Sequence, residues 1–197
     1  MPKIEIIEPR ITWKNEFEEI RKDLVSILEG FIMCIDHIGS TSVPHLPAKN
    51  VIDVQVTVSD LNKPYAKEQL IDAGYNYRIG TDRDSLVGFD EDSEELKKLF
   101  FMEKPSSRRC HIHIREYGRE NQRYPLLFRD YLIADSTTRE AYALVKKELA
   151  IRFPDDPDAY YAIKDPYMDT IYRAACMWAE KTGWTSNGGL PTHVTSE

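Results

Sequence analysis

Two stretches of the sequence carry side chains whose types and spacing suit phosphate and metal chemistry. The first is a turn of small and hydroxyl-bearing residues, Gly39, Ser40, Thr41 and Ser42. Backbone N–H groups and hydroxyls in such a turn can approach a phosphate closely. Asp53 follows in a strand-like run, where its carboxylate could hold a hard cation beside that phosphate. The stretch therefore predicts a site for a phosphate and a divalent cation.

The second stretch alternates between apolar and polar residues. Because successive side chains on a strand point to opposite faces, Asp53 and Gln55 share the polar face of a strand predicted over 51–58. The polar face of the run 109–115 carries Arg109, His111, His113 and Arg115. If both polar faces line the same side of one sheet, they form a pocket with a carboxylate, imidazoles and guanidinium groups.

These residues receive candidate roles from their chemistry. Asp53 is a candidate catalytic residue and metal ligand, and His113 is a candidate metal ligand or general base. The candidate phosphate- or nucleotide-binding residues are Gly39, Ser40, Thr41, Ser42, Lys49, Arg109, His111 and Arg115. Structural alternatives stay open for each: a solvent-exposed aspartate, alternating histidines without a ligand, and hydroxyls that only cap a turn.

Hydrophobic periodicity places these motifs in a sheet that is followed by helices. Helical spacing of apolar residues predicts a helix from Trp13 to Leu28, and Pro64 and Gly74 bound another. Strands are expected over 3–7, 31–38, 51–58, 75–79, 96–103 and 110–115. The sequence predicts an α+β fold, with a mixed β-sheet flanked by helices and a helical C-terminal part.

The helical part has its own start signals. A helix is expected over 126–134, and Thr137 with Glu140 forms a capping-box pattern at the start of the next. Asp165-Pro166 suits the start of the last helix. We therefore divide the chain into a core over 1–120, a helical region packed on it over 121–184, and a flexible tail over 185–197.

Charge and composition restrict the classes of function. The formal net charge of −7 argues against general nucleic-acid binding. The segment 104–129 is nevertheless basic, with seven Lys or Arg against two Glu, which indicates a small anionic ligand. Ion pairing of this segment with the acidic run from Asp82 to Glu95 is the alternative.

Three widely spaced cysteines favour neither a disulfide framework nor a zinc cage, and Cys110 is expected to be a buried thiol. No apolar stretch reaches the roughly 20 residues that span a bilayer, and the first residues lack a signal-peptide pattern. A cytoplasmic protein is expected, with no membrane and no partner protein indicated.

Several landmarks together resemble those of the GrpB family, a group of small bacterial proteins assigned to the nucleotidyltransferase superfamily. The resemblance runs from about Glu8 to Trp178. Its landmarks here are Trp13, the run 37–44, Pro47-Ala48-Lys49, Ile52-Asp53, His111-Ile112-His113, the run 128–132, Tyr142 with Lys146, and the run 160–164.

The resemblance implies that the core is nucleotidyltransferase-like. The superfamily pattern has Gly-Ser, then an acid, one residue and a second acid, with a third acid on a later strand. Gly39-Ser40 and Asp53 match the first elements, but Gln55 stands where the second acid is expected. The strand of His111 and His113 corresponds to the third position without an acid, and Glu103 is a further acid whose direction the sequence leaves open.

Three functions follow from this combination. The first is binding of a nucleoside triphosphate with Mg²⁺ or Mn²⁺, with transfer of a nucleotidyl group to a small molecule. The alternative is a non-catalytic nucleotide- or phosphate-binding module with a degenerate acid set, which Gln55 favours. A metal hydrolase using Asp53, His111 and His113 is the third. Whether the protein is an enzyme is left open.

Overall fold

The structure is a computed structural model and describes residues 3–186. Its strands are β1 (Cys34–Ile38), β2 (Ile52–Val58), β3 (Asn76–Tyr77), β4 (Leu99–Met102) and β5 (Cys110–Glu116). They form one sheet in the order β1-β2-β5-β4-β3. Strands β2 and β5 are parallel, and the other neighbouring pairs are antiparallel.

The helices are α1 (Thr12–Ile27), α2 (Tyr65–Asp72), α3 (Glu120–Ala134), α4 (Ser136–Arg152) and α5 (Pro157–Thr182). Short 3₁₀ turns cover Ser40–Ser42 and Glu94–Leu96. The expected α+β fold, with a mixed sheet and helices that include a C-terminal set, is therefore confirmed.

Helix α1 packs on one face of the sheet because both carry apolar residues at matching periods. Val54 and Ile112 are fully buried on that face of the central parallel pair. Trp13, Phe17 and Leu24 recur at helical spacing on α1 and join the same core. The polar residues of β2 and β5 are consequently directed to the other face.

A second apolar core forms among the C-terminal helices. Leu132 of α3, Tyr142 of α4 and Ala175 of α5 are buried in it, together with Val43 and Leu96 from the loops that precede. Because this core draws on both the helices and those loops, it fixes the helices against the open, polar side of the sheet.

Two helix starts differ from the sequence expectation. Helix α4 is capped by Asp135, which accepts a hydrogen bond from Thr138 N at 2.8 Å, so Thr137 is already inside the helix. Helix α5 starts at Pro157 and is capped by Asp156. The prediction of a start at Asp165-Pro166 is therefore wrong, and Pro166 lies inside α5.

Other boundaries also shift. Three strands are shorter than expected, because 31–38, 75–79 and 96–103 reduce to β1, β3 and β4. The strand expected over 3–7 is a single bridge between Ile7 and Ala48, and α3 starts at Glu120 rather than 126.

The expected tail, 185–197, lies outside the described residues from 187 onward. No helix of the described part is long and apolar enough to cross a membrane.

Candidate functional site

A cavity of about 620 Å³ opens on the polar side of the sheet, lined by residues of the sheet, of the loop before β4 and of helices α3, α4 and α5. Eight of the residues singled out from the sequence line it: Gly39, Ser40, Thr41, Lys49, Asp53, His111, His113 and Arg115. The structure thus brings most of the predicted site residues together, while their roles stay predictions.

The turn after β1 fits tightly against Asp53. Antiparallel pairing sets Ile38 opposite Asp53, so Gly39 lies beside that aspartate. Gly39 has a φ of +69°, and a Cβ added there would lie 2.9 Å from Asp53 Cβ. Only glycine combines this backbone angle with this close approach.

The hydroxyls of the turn have distinct partners. Ser42 Oγ donates to Gly39 O at 2.6 Å, which closes the turn. Ser42 borders a separate cavity on the other side of the turn, so the expected phosphate contact from Ser42 is not supported by its position. Thr41 Oγ1 lies 3.0 Å from Nε2 of His37, whose pKa is lowered to about 4 by burial. Ser40 lines the main cavity, and its hydroxyl accepts a hydrogen bond from Lys146.

Asp53, His111 and His113 form a compact cluster because β2 and β5 are parallel neighbours. The register sets Asp53 beside His111 and Gln55 beside His113. His111 Nδ1 lies 3.2 Å from Asp53 Oδ1, and one donor atom of each of the three residues lies within 4.8 Å of the others. Burial, with Arg115 and Lys98 nearby, holds the pKa of His113 well below its usual range. Its imidazole is therefore neutral at pH 7 and keeps a lone pair.

Gln55 is turned away from this cluster into a structural role. Its side chain is fully buried, its Nε2 donates to Gln122 O at 2.9 Å, and its Oε1 accepts from Arg115 Nη1 at 2.8 Å. An amide can donate at one end and accept at the other, which a carboxylate cannot. The residue at the expected second-acid position therefore joins β2 to α3 and β5.

Arg115 belongs to a buried group that we call the ion-pair network: Asp84, Lys98, Arg115, Gln55 and Asn121. Asp84 accepts from Lys98 Nζ at 2.5 Å and from Arg115 Nε at 2.9 Å. Asn121 Nδ2 donates to Asp84 Oδ2 at 3.1 Å. Asp84 is half-buried, but the charges of Arg115 and Lys98 overcome the effect of burial and hold its pKa far below its usual range. Arg115 thus follows the ion-pairing alternative rather than standing free for a ligand.

A second basic group, the lysine cluster, consists of Lys49, Lys146 and Lys164. Lys146 is 2% exposed, and its Nζ donates to Ser40 Oγ at 2.8 Å and to Pro47 O at 2.6 Å. Burial, together with Lys164 and Lys49, holds the pKa of Lys146 well below its usual range. Within residues 3–186, no carboxylate lies within 4.0 Å of the ammonium groups of Lys49 or Lys146.

The other two lysines of the cluster meet at Tyr161. Lys49 donates to the Tyr161 hydroxyl and lies 4.5 Å from the ring centroid. Lys164 lies 5.3 Å from the same ring and pairs with Asp165 at 2.5 Å.

Three other basic or acidic residues considered from the sequence do not enter the cavity. Arg109 is exposed and is not among the cavity residues, so its predicted phosphate contact is not supported. Arg129, the last residue of the basic segment 104–129, pairs with Asp130 at 2.7 Å and donates to His37 O, so it has a structural role. Glu103 accepts from Cys110 N at 3.1 Å instead of joining Asp53. Cys110 is a buried thiol, as expected, and burial raises its pKa to about 12.

The lining of the cavity is basic although the protein is acidic overall. Its charged residues are Lys49, Arg78, Arg83, Lys98, Arg115, Lys146 and Lys164 against Asp53, Asp84, Asp165 and Asp169. Cations thus outnumber carboxylates in the cavity, whereas the whole chain has a net charge of −7. The cavity therefore favours an anionic ligand.

Sequence reasoning gave no role to Asp84 or Lys98 and treated Lys146 only as a landmark of a resemblance. Asp84 lies in an irregular loop, where no periodicity shows the direction of a side chain. Lys146 shares one face of α4 with buried Tyr142 and Leu149, at spacings of four and three residues. This placement of a lysine among buried positions is the signal that could have found it.

Comparison with known proteins adds the family. The profile described as GrpB protein matches residues 3–174. The chain belongs to the GrpB family. The crystal structure of GrpB from Enterococcus faecalis is similar over 89% of this chain and 99% of that one, with a TM-score of 0.74 and 28% identity. The family expected from the sequence landmarks is thus confirmed.

Other proteins that the chain resembles have other names. A dephospho-CoA kinase of Mycolicibacterium paratuberculosis is 33% identical over 92% of this chain and 48% of that protein. The chain spans about half the length of the first relatives it matches. Cid1 poly(U) polymerase with bound Mg 3'-dATP aligns at 18% identity and a TM-score of 0.46, over 87% of this chain and 50% of that one. The present sequence contains no G-x-x-x-x-G-K-[S/T] segment, the phosphate loop of many kinases.

Proposed function

We propose that this GrpB protein binds a nucleoside triphosphate in the cavity, with the phosphates held by the Gly39–Ser40 turn and the lysine cluster. The observation that carries the proposal is Lys146. It is a buried amine that bonds to Ser40 and to a carbonyl but has no carboxylate partner among the described residues. A buried cation without a counter-charge is costly, and a ligand phosphate would supply that counter-charge.

The surroundings of Lys146 support a polyphosphate rather than a single anion. Burial and the charges of Lys164 and Lys49 both act to lower the pKa of Lys146, so three amines converge on one region. The turn packs closely against Asp53 at Gly39, and the next residue, Ser40, lines the cavity with its hydroxyl beside Lys146. Several negative charges would satisfy this group better than one.

Aromatic residues of the same cavity support a nucleoside as the remaining part of such a ligand. The cavity is lined by Phe100, Tyr124, Phe128, Tyr142, Tyr160 and Tyr161. Aromatic faces stack on bases without strong sequence preference. The choice among bases is left to experiment.

Binding without catalysis is the form of this function that the site favours. Phosphoryl transfer usually needs several carboxylates that hold cations between substrate oxygens. Of the aspartates that line the cavity, Asp165 and Asp169 lie on α5 and Asp84 pairs with Lys98 and Arg115, which leaves Asp53 beside the turn. The resemblance implies Mg²⁺, but one carboxylate with two imidazoles does not suit an ion that prefers oxygen ligands.

Nucleotidyl transfer to a small molecule is the second candidate, because Asp53 lies directly beside the Gly39–Ser40 turn. An acceptor hydroxyl would attack the α-phosphorus, forming an O–P bond while the bond to the β-phosphate oxygen breaks and pyrophosphate leaves. Asp53 or neutral His113 would take the hydroxyl proton. Lys49 and Lys146 would stabilise the charge that develops on pyrophosphate.

Calorimetry without divalent cations tests binding. ATP, GTP, CTP, UTP and inorganic triphosphate are titrated into the full chain in chelator. We expect saturable binding and a loss of roughly tenfold or more for Lys146→Met and Ser40→Ala, since each removes a polar contact to phosphate. Lys147→Met is the matched control, because Lys147 is the next residue of α4 and pairs with Glu8. Absence of binding, or equal affinity of Lys146→Met and wild type, would refute the proposal.

Pyrophosphate release then separates the two candidates. Each nucleoside triphosphate is supplied with Mn²⁺ or Mg²⁺ and a panel of small alcohols and amines. Turnover that Asp53→Asn abolishes supports transfer. Saturable binding with no pyrophosphate released supports the binding module.

A further inference from the structure

The cluster of Asp53, His111 and His113 has a donor set that differs from the one Mg²⁺ uses. It offers one carboxylate and two imidazoles, and the donor atoms lie within 4.8 Å of one another. Mg²⁺ demands octahedral oxygen coordination and usually takes carboxylates, phosphates and water. Imidazole suits Zn²⁺, Fe²⁺, Co²⁺ and Ni²⁺, and two histidines with one carboxylate are typical of sites for first-row transition ions.

Two neighbouring side chains that carry oxygen, Gln55 and Asp84, already have other partners. Gln55 bonds to Arg115 and Gln122 rather than to the cluster. Asp84 accepts from Lys98 and Arg115. Among the described residues, the group whose donor atoms lie within 4.8 Å of one another contains Asp53 as its carboxylate.

The neighbouring cations do not prevent an ion from binding here. Lys98 Nζ and Arg115 Nε pair with Asp84 at 2.5 and 2.9 Å. Arg115 Nη2 lies 3.4 Å from Nδ1 of His113, whose other ring nitrogen can still ligate an ion. The charge of Asp84 offsets much of their repulsion. The backbone also holds the cluster in place, because Asp53 and His111 are register partners on the parallel central pair.

We propose that Asp53, His111 and His113 bind one divalent first-row transition ion and discriminate against Mg²⁺. The inference deepens the proposed function, because such an ion would lie beside the phosphates of a bound nucleotide. It does not need the nucleotide, since ion binding is measured on the protein alone.

Cobalt is the probe that tests the proposal. The full chain, without an affinity tag, is stripped with chelator and titrated with Co²⁺ while visible absorption is recorded. We expect one Co²⁺ per chain, with a spectrum of nitrogen and oxygen ligands rather than thiolate. A hundredfold excess of Mg²⁺ is expected to leave the bound Co²⁺ in place, and Zn²⁺ is expected to displace it.

Substitutions assign the ligands. Asp53→Asn, His111→Ala and His113→Ala are each expected to weaken Co²⁺ binding by at least roughly tenfold. His45→Asn is the control, because His45 is exposed, lies outside the cavity and has a φ of +65° that asparagine tolerates. Circular dichroism confirms that each variant is folded, and the comparison of Co²⁺ with Mg²⁺ on wild type needs no variant.

Three results would overturn the inference: no bound Co²⁺, displacement by Mg²⁺ at similar concentration, or an unchanged spectrum in His113→Ala. None of them bears on the nucleotide, whose binding is measured in chelator. Loss of nucleotide binding with Co²⁺ binding intact would refute the proposed function alone.

Discussion

Lys98 and Lys146 are two buried lysines that border the same cavity but have opposite surroundings. Lys98 is 7% exposed, and its Nζ lies 2.5 Å from Asp84 Oδ1 inside the ion-pair network. Lys146 is even less exposed, yet its partners are the neutral oxygens of Ser40 and Pro47. Asp84 balances the charge of Lys98 within the chain. Lys146 has no carboxylate within 4.0 Å among the described residues, and a ligand phosphate would supply its counter-charge.

The difference separates structural charge from functional charge. When one member of an ion pair is removed, its partner remains as a buried charge without a counter-charge, so the free energy of unfolding falls. When a buried cation without a counter-charge is removed, folding no longer has to bury that charge. The free energy of unfolding then changes little, whereas the affinity for the ligand falls. Substitutions in the ion-pair network should therefore lower stability, whereas substitutions in the lysine cluster should lower ligand affinity.

The largest effect is expected from Asp84→Asn. The substitution leaves Lys98 and Arg115 buried without their shared counter-charge and should lower the free energy of unfolding by about 3 to 5 kcal/mol. Urea denaturation measures it, with the exposed Asp82→Asn as control. A loss no greater than that of the control would show that the network is not structural.

The same substitution at the two lysines gives the sharpest contrast. Lys98→Met should cost about 1 to 3 kcal/mol, since Asp84 loses one of its two cationic partners. Lys146→Met should change the free energy of unfolding by less than about 1 kcal/mol, because an uncompensated charge is removed. Urea denaturation of both variants checks the pair, and equal losses would remove the distinction drawn here.

Gln55→Glu tests whether a second acid can be restored. The carboxylate can still accept from Arg115, but it can no longer donate to Gln122 O. We expect a loss of about 1 to 2 kcal/mol in the free energy of unfolding and no gain in Mg²⁺ affinity. Calorimetry with Mg²⁺ checks the second part. Tight Mg²⁺ binding by this variant would mean that position 55 can turn toward Asp53.

The smallest effect concerns pH. The pKa of Asp84 in the folded chain lies far below its usual value of about 3.9 because Arg115 and Lys98 favour the ionised form. Its contribution to stability is therefore complete above about pH 4 and is lost as pH falls toward the folded pKa. The advantage of wild type over Asp84→Asn should shrink by roughly 1 kcal/mol between pH 6 and pH 3. An advantage that stays constant in urea denaturation at both pH values would contradict this account.

The alternation of side chains along the strands was the most reliable basis for prediction from the sequence. The parity of Asp53, His111 and His113 follows from the two-residue period of a strand, and the register of β2 and β5 places them together as the pocket hypothesis requires. Proline signals were less decisive. Asp156-Pro157 and Asp165-Pro166 have the same local pattern, and packing of the whole helix decides that the first starts α5.

Long-range partners explain what the sequence could not give. Gln55 looks like a missing acid in the linear pattern, and only the fold shows that Arg115 and Gln122 O need an amide there. Asp84 lies in a loop without periodicity, and Lys146 resembles any lysine of a surface helix until Ser40 and Pro47 are placed against it.

The parallel pairing of β2 with β5 joins segments that are far apart in the chain, so Asp53 and His111 become neighbours only when these two strands pair. A molecule that bridges them recognises the native state alone. By mass action it would add about 2.7 kcal/mol of stability at a hundred times its dissociation constant. A thermal-shift screen could therefore search for physiological ligands of this protein before any reaction is known.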